Sequence, residues 1–189
     1  IISENAAFTL TLMKKYSLLD FLLKGLQKIS KEDFKKLKTL PKDYLLRISF
    51  LYILSKIKID EIQIKFKISK KNLNNIKRIC QNKKVIKTEI EAMKLKYFFG
   101  KEISKKNYLL ISCIFNKELN SNIIKILDNW MPPKFPISGH DLMKFDEIKK
   151  DAFKDVLEYL QKWWINKNFS PNKKQCLDKL KKHIISMKP

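Results

Sequence analysis

The chain has 189 residues, 44% of them hydrophobic, which is enough for one or two compact domains with a core and excludes a disordered tail. Lys and Arg total 41 against 19 Asp and Glu, and the net charge of +22 exceeds what solubility requires and points to a polyanionic partner. All the basic residues except Arg47 and Arg78 are lysine, a flexible point charge suited to phosphate, so backbone contact is expected over readout of base edges.

Strand signals are almost absent. The chain has 3 glycines, no hairpin dipeptide and no sustained alternation outside 56–68, so an all-α fold is expected. Ser17 with Asp20 and Ser30 with Asp33 stand at capping-box spacing, and each predicts a short amphipathic segment. Pro41 suits the first turn of a longer helix. In it Leu45, Ile48, Leu51 and Tyr52 share one face and Leu46, Phe50 and Ile53 another, which makes it the expected centre of a core. A segment over 59–67 follows, then a helix with Ser69 as its N-cap. Apolar periodicity predicts further helices over 86–99, 104–115 and 118–130. Pro132, Pro133 and Pro136 cannot continue a helix, so 131–139 is the expected boundary, dividing the chain into 1–40, 41–130 and 131–189. Beyond it a short helix from Asp141 and a longer one over 151–166 are predicted, then a last one over 171–185 with Ser170 as N-cap and Pro171 at its first position.

On that last helix Leu177, Leu180 and Ile184 fall on one face with Cys176 beside them, a face expected to dock on the preceding helix. Lys174 and Lys181 then line one flank, and Lys179 and Lys182 point outward. These four lysines, with Lys134 and His140, are the candidate RNA-contacting residues. Phe135, Trp130, Trp163 and Trp164 are either stacking platforms for unpaired bases or core residues, with one ring of the Trp163 and Trp164 pair expected inside and the other partly outside. Arg47 stands four residues after Asp43, the spacing of an intrahelical ion pair. Cys80, Cys113 and Cys176 lie far apart in apolar surroundings and read as core thiols of a reducing compartment. Neither they nor His140 and His183 form a metal-ligand spacing, so no metal is expected. No apolar run approaches the roughly 18 residues that span a bilayer, so no membrane partner is expected. The chain opens on Ile1 without a signal-like stretch, and the expectation is a start inside a longer protein or after a processing site.

Five separated stretches carry a family resemblance in the right order: Asp43-Tyr44-Leu45-Leu46-Arg47, Phe66-Lys67-Ile68-Ser69, Lys96-Tyr97-Phe98-Phe99-Gly100-Lys101-Glu102, Phe135-Pro136-Ile137-Ser138-Gly139-His140-Asp141-Leu142, and Tyr159-Leu160-Gln161-Lys162-Trp163-Trp164-Ile165. Together they resemble the neck, body and tail of class II bacterial CCA-adding tRNA nucleotidyltransferases, an architecture shared with bacterial poly(A) polymerases; the Trp-Ile pair and Phe169 look like the alphaproteobacterial branch. The resemblance implies an elongated all-α region that holds the acceptor stem and T arm of tRNA, in the cytoplasm of a bacterium or a mitochondrial matrix. Asp43, Arg47, Ser69, Phe135, Pro136, Gly139, Asp141 and Trp163 then mark the structural motifs.

The family's Asp-x-Asp carboxylate pair for two magnesium ions is absent, as are its Gly-Gly turn and its Glu-Asp-x-x-Arg template for CTP and ATP. No catalytic residue and no cofactor is therefore expected in this chain; magnesium, CTP and ATP belong to a catalytic head supplied in cis or in trans. Asp146, Lys150 and Lys154 stand where the family carries glycines, which implies either drift or a different partner. The alternatives are a non-catalytic RNA-binding subunit descended from this fold, as in an organellar ribosome or a split enzyme, and the same region of a poly(A) polymerase.

Overall fold

A computed structural model describes residues 1–187, the side chains of residues 24, 186 and 187 excepted. The fold is all-α: the chain is 67% helical, with no strand among the described residues. It divides into two compact units, one from Ile1 to Trp130 and one beginning at Met131, inside the proline-rich segment.

The first unit contains α1 (Ala6–Lys15), α2 (Leu19–Leu22), α3 (Lys31–Lys36), α4 (Tyr44–Ser55), α5 (Ile59–Lys65), α6 (Lys70–Ile79), α7 (Glu89–Ile114) and α8 (Ser121–Asn129). At its centre is α4, apolar nearly all round and therefore buried on more than one side: Leu46, Ile48, Phe50 and Leu51 are enclosed, with α6 and α7 packed against it. Residues before Pro41 share this core, since Leu19, Leu26, Phe34 and Leu37 join the same cluster.

Local signals set most of the helix starts. Ser30 accepts the Asp33 N–H at 2.9 Å and Ser69 accepts the Asn72 N–H at 3.3 Å, as the capping pattern predicts. Ser17 does not cap. It has φ 55°, a left-handed turn closing α1, and α2 begins after Leu18 without a side-chain cap. Nor does Pro41 enter α4; the helix starts three residues later because Asp43 takes the N-cap, its Oδ1 accepting the Leu46 N–H at 2.8 Å. Thr88 and Glu91 form a reciprocal capping box that delays α7 to Glu89, later than periodicity suggests. Within α7, Gly100 adopts φ 77° and ψ 170°, a conformation closed to most L residues, and the two predicted helices meet there at a kink.

The Asp43–Arg47 ion pair expected from spacing does not form. Arg47 is 4% exposed and its guanidinium donates to backbone carbonyls: Nε to Pro41 at 3.0 Å, one terminal nitrogen to Ile1 at 2.8 Å and Ser3 at 3.1 Å, the other to Leu40 at 3.0 Å. A planar fork meets several carbonyls of an irregular segment at once, whereas the Asp43 carboxylate is already directed at the first turn of α4. Its other partner is the Lys106 ammonium at 2.9 Å.

The second unit holds α9 (Gly139–Leu142), α10 (Phe153–Asn166) and α11 (Lys173–Met187). Val156, Leu160 and Trp164 recur at i, i+4 and i+8 on α10 and are buried, as are Leu142, Cys176 and Leu180 on α9 and α11, the helices packed against it. Trp164 anchors this core: its Nε1 donates to the Pro171 carbonyl at 2.9 Å, and the Phe135 and Phe169 rings lie 5.4 and 5.2 Å away. The last helix is not capped by Ser170 and does not begin at Pro171. Asn172 and Gln175 exchange side-chain bonds with each other's N–H at 3.0 and 2.9 Å, so α11 starts at Lys173, and the Pro171 carbonyl serves Trp164 instead.

Candidate nucleic-acid interface

Acids decide which lysines remain available. In the first unit Asp128 holds Lys105 at 2.7 Å and Lys101 at 3.8 Å, and the Lys105 hydrogen bond, with both ammonium charges, keeps the Asp128 pKa below its ordinary value. Lys106 bridges Asp43 and Glu102, each at 2.9 Å; partial burial works against its charge, but these two hydrogen bonds outweigh it and raise its pKa. Lys96 is buried and donates to the Ile126 carbonyl at 3.3 Å; burial, then the neighbouring Lys101, lowers its pKa. Lys96, Lys105 and Lys106 therefore tie α7 to α8 and to the start of α4.

Where no acid lines it, the surface opens into a groove of about 340 Å³ bordered by Tyr52, Ile53, Lys56, Ile57, Lys77 and Lys83. Tyr52 lies in the last turn of α4, Lys56 follows as its left-handed C-cap at φ 54°, and the loop after α6 brings in Lys83. Cys80 beneath is buried, and burial pushes its thiol up to about 12, so it stays neutral.

In the second unit a groove of about 520 Å³ is walled by Trp163, Lys167, Gln175, Asp178, Lys179 and Lys182. Trp163 is half-buried while Trp164 is enclosed, the division expected for that pair. Lys179 is half-buried rather than simply outward: its ammonium lies 5.6 Å from the centroid of the Tyr159 ring, which itself stacks on His183 at 4.0 Å. Lys182 is exposed at the groove, whereas Lys174 and Lys181 are exposed elsewhere on α11. Lys134 and His140 are also exposed, in the proline-rich segment and the first turn of α9. The candidate cations thus divide, and only Lys179 and Lys182 come together at a groove.

Asp141 is structural. It is buried and receives the Lys173 ammonium at 2.6 Å, the Ser138 N–H at 3.0 Å and the Ser138 hydroxyl at 2.8 Å, so α9 is tied to the start of α11. The Lys173 bond, then those from Ser138, hold its carboxyl far below the ordinary aspartate value. Phe135 packs on Trp164 as a core ring, Pro136 is half-buried beside it in sequence, and Gly139 would admit a Cβ into open space. Asp146, Lys150 and Lys154 are all exposed.

Sequence reasoning missed Lys167, although it follows Trp163 by four residues at the end of α10. It also missed Lys173, whose partner lies more than thirty residues away. Among the described residues no three His, Cys, Asp or Glu side chains gather as a metal site, and no helix is long and apolar enough to cross a membrane. Comparison with family models, curated proteins and solved structures finds no match.

Proposed function

We propose that this chain is the tRNA-holding C-terminal part of a CCA-adding tRNA nucleotidyltransferase, positioning the acceptor stem and T arm for a catalytic head supplied in cis or in trans. That head, in a bacterial cytoplasm or a mitochondrial matrix, carries the magnesium, CTP and ATP chemistry. The motif order supports the family, and one structural observation supports RNA contact: in each unit several lysines gather at a groove around a half-buried aromatic ring. Phosphates fit such surfaces, and a protein that accepts every tRNA needs backbone contact rather than base readout. A repurposed RNA-binding subunit is the second reading, favoured by the exposed charges of Asp146, Lys150 and Lys154 where the family has glycines.

The test is binding of several tRNAs lacking their CCA ends across a salt series, with the wild-type chain and with Lys174, Lys181 and Lys182 changed together to Ala. The triple variant should weaken all tRNAs about equally, and its slope of log affinity against log salt should fall by roughly 0.7 to 0.9 for each phosphate no longer neutralised. Unchanged affinity and slope remove Lys174, Lys181 and Lys182 from the interface. A wild-type chain that binds tRNA no better than other structured RNA of equal length favours the repurposed subunit instead.

A further inference from the structure

We propose that the groove beside Trp163 receives one unpaired nucleotide of the bound RNA, its base stacked on the indole and its phosphates set among Lys167, Lys179 and Lys182. This rests on the RNA-holding reading and adds to it a distinction that duplex phosphate contacts do not make.

The position of the ring follows from the helix. Val156, Leu160 and Trp164 define the buried side of α10, and the Trp164 indole is fixed by its bond to the Pro171 carbonyl. The preceding residue projects about 100° away, so Trp163 stands at the edge of the core with part of its ring left to the groove. Lys167 follows it by four residues, just past the end of α10, while Lys179 and Lys182 face it from α11. Asp178 is the one acid in the groove wall among the described residues. A single aromatic face flanked by cations suits a base with its phosphates, and the volume of about 520 Å³ lies within the span of roughly 300–1,000 Å³ common for small-ligand sites.

A base inside a duplex is already stacked on both faces, so the indole is open only to a nucleotide in a loop, a bulge or a single-stranded end. Stacking tolerates any base because each has a π face, which agrees with a protein that must accept many RNAs. Lys179 is the most constrained cation, held over Tyr159, and so meets the phosphate with less loss of side-chain freedom.

The experiment compares a blunt RNA duplex with a hairpin of the same stem and an unpaired loop, titrated into the wild-type chain and the W163L and W163F variants. For the hairpin, W163L should lose affinity roughly fivefold to 150-fold, matching about 1–3 kcal/mol per stacked base. W163F, which keeps an aromatic face, should stay within about threefold, and the duplex should bind all three proteins alike. In the wild type the hairpin should also quench tryptophan emission, and W163F should abolish that quench; this readout stands even if W163L fails to fold. Hairpin binding and quench both indifferent to Trp163 would overturn the proposal while leaving RNA holding intact. A wild-type chain that binds neither RNA would overturn both.

Discussion

Lysines are placed on α7 of the first unit and α11 of the second in opposite circumstances. On α7, Lys105 and Lys106 meet Asp128 and Asp43 across the packing of the unit, and Lys96 is enclosed altogether. On α11 the first lysine, Lys173, is taken up by a buried acid, and Lys179 and Lys182 go on to line a groove. A net charge of +22 is therefore not a binding surface by itself. The positions of a few carboxylates determine which cations hold the fold and which remain for a polyanion, and each role fails differently under mutation.

The most severe way to test the structural half of that contrast is Arg47→Leu. The guanidinium is enclosed and satisfies the carbonyls of Ile1, Ser3, Leu40 and Pro41, so its removal leaves buried acceptors without donors. Urea unfolding of the first unit should show a loss of about 3–5 kcal/mol. Arg47→Lys should recover little of it, because a compact ammonium does not span the separated carbonyls. A loss under about 1 kcal/mol would break the view that cations of this unit serve the fold.

Asp141→Asn tests a place where the second unit uses a lysine structurally, and the expected loss is smaller, about 2 kcal/mol, from a weakened cap and a broken pair with Lys173. The pH dependence sharpens it. The folded carboxyl titrates well below its unfolded value near about 3.9, so its contribution is complete above that pH and disappears as pH falls toward the folded pKa. Thermal melts of the wild type should therefore drop more steeply below about pH 4 than those of the Asn variant. Parallel curves would mean that the Lys173 bond contributes nothing to stability.

The all-helical fold and the break near Met131 were legible because they rest on local chemistry: missing glycines, clustered prolines, and polar caps before apolar periodicity. Ser30 and Ser69 cap as their spacing suggests, while Ser17, Pro41 and Ser170 mislead because a better cap or a left-handed turn supplants them within a few residues. What escaped was long-range pairing. Asp43 and Arg47 sit at ion-pair spacing yet each finds a partner from another segment, and nothing in the sequence joins Lys173 to Asp141 or Lys105 to Asp128. For the same reason the candidate cations of α11 were named as one set, although the groove takes only Lys179 and Lys182 and adds Lys167, just past the end of α10.

The smallest expected effect comes from a matched pair of double variants. Lys101→Ala with Lys105→Ala removes two positive charges from the first unit, and Lys167→Ala with Lys182→Ala removes two from the second, so the net charge seen by an approaching RNA changes equally in both. What differs is local pairing. Lys101 and Lys105 already face Asp128 at 3.8 and 2.7 Å, and their side chains are 61% and 39% exposed, so the pairs contribute only about 0–1 kcal/mol to stability. Because Asp128 offsets one of their two charges and draws both ammonium groups toward itself, tRNA affinity should fall less than for the groove pair, with a salt slope altered by less than the roughly 0.7 to 0.9 of one phosphate. The groove pair should lower that slope by at least the value for one phosphate. An equal slope for the two double variants would show that paired and unpaired lysines reach RNA alike, and the contrast between α7 and α11 would then be one of stability alone.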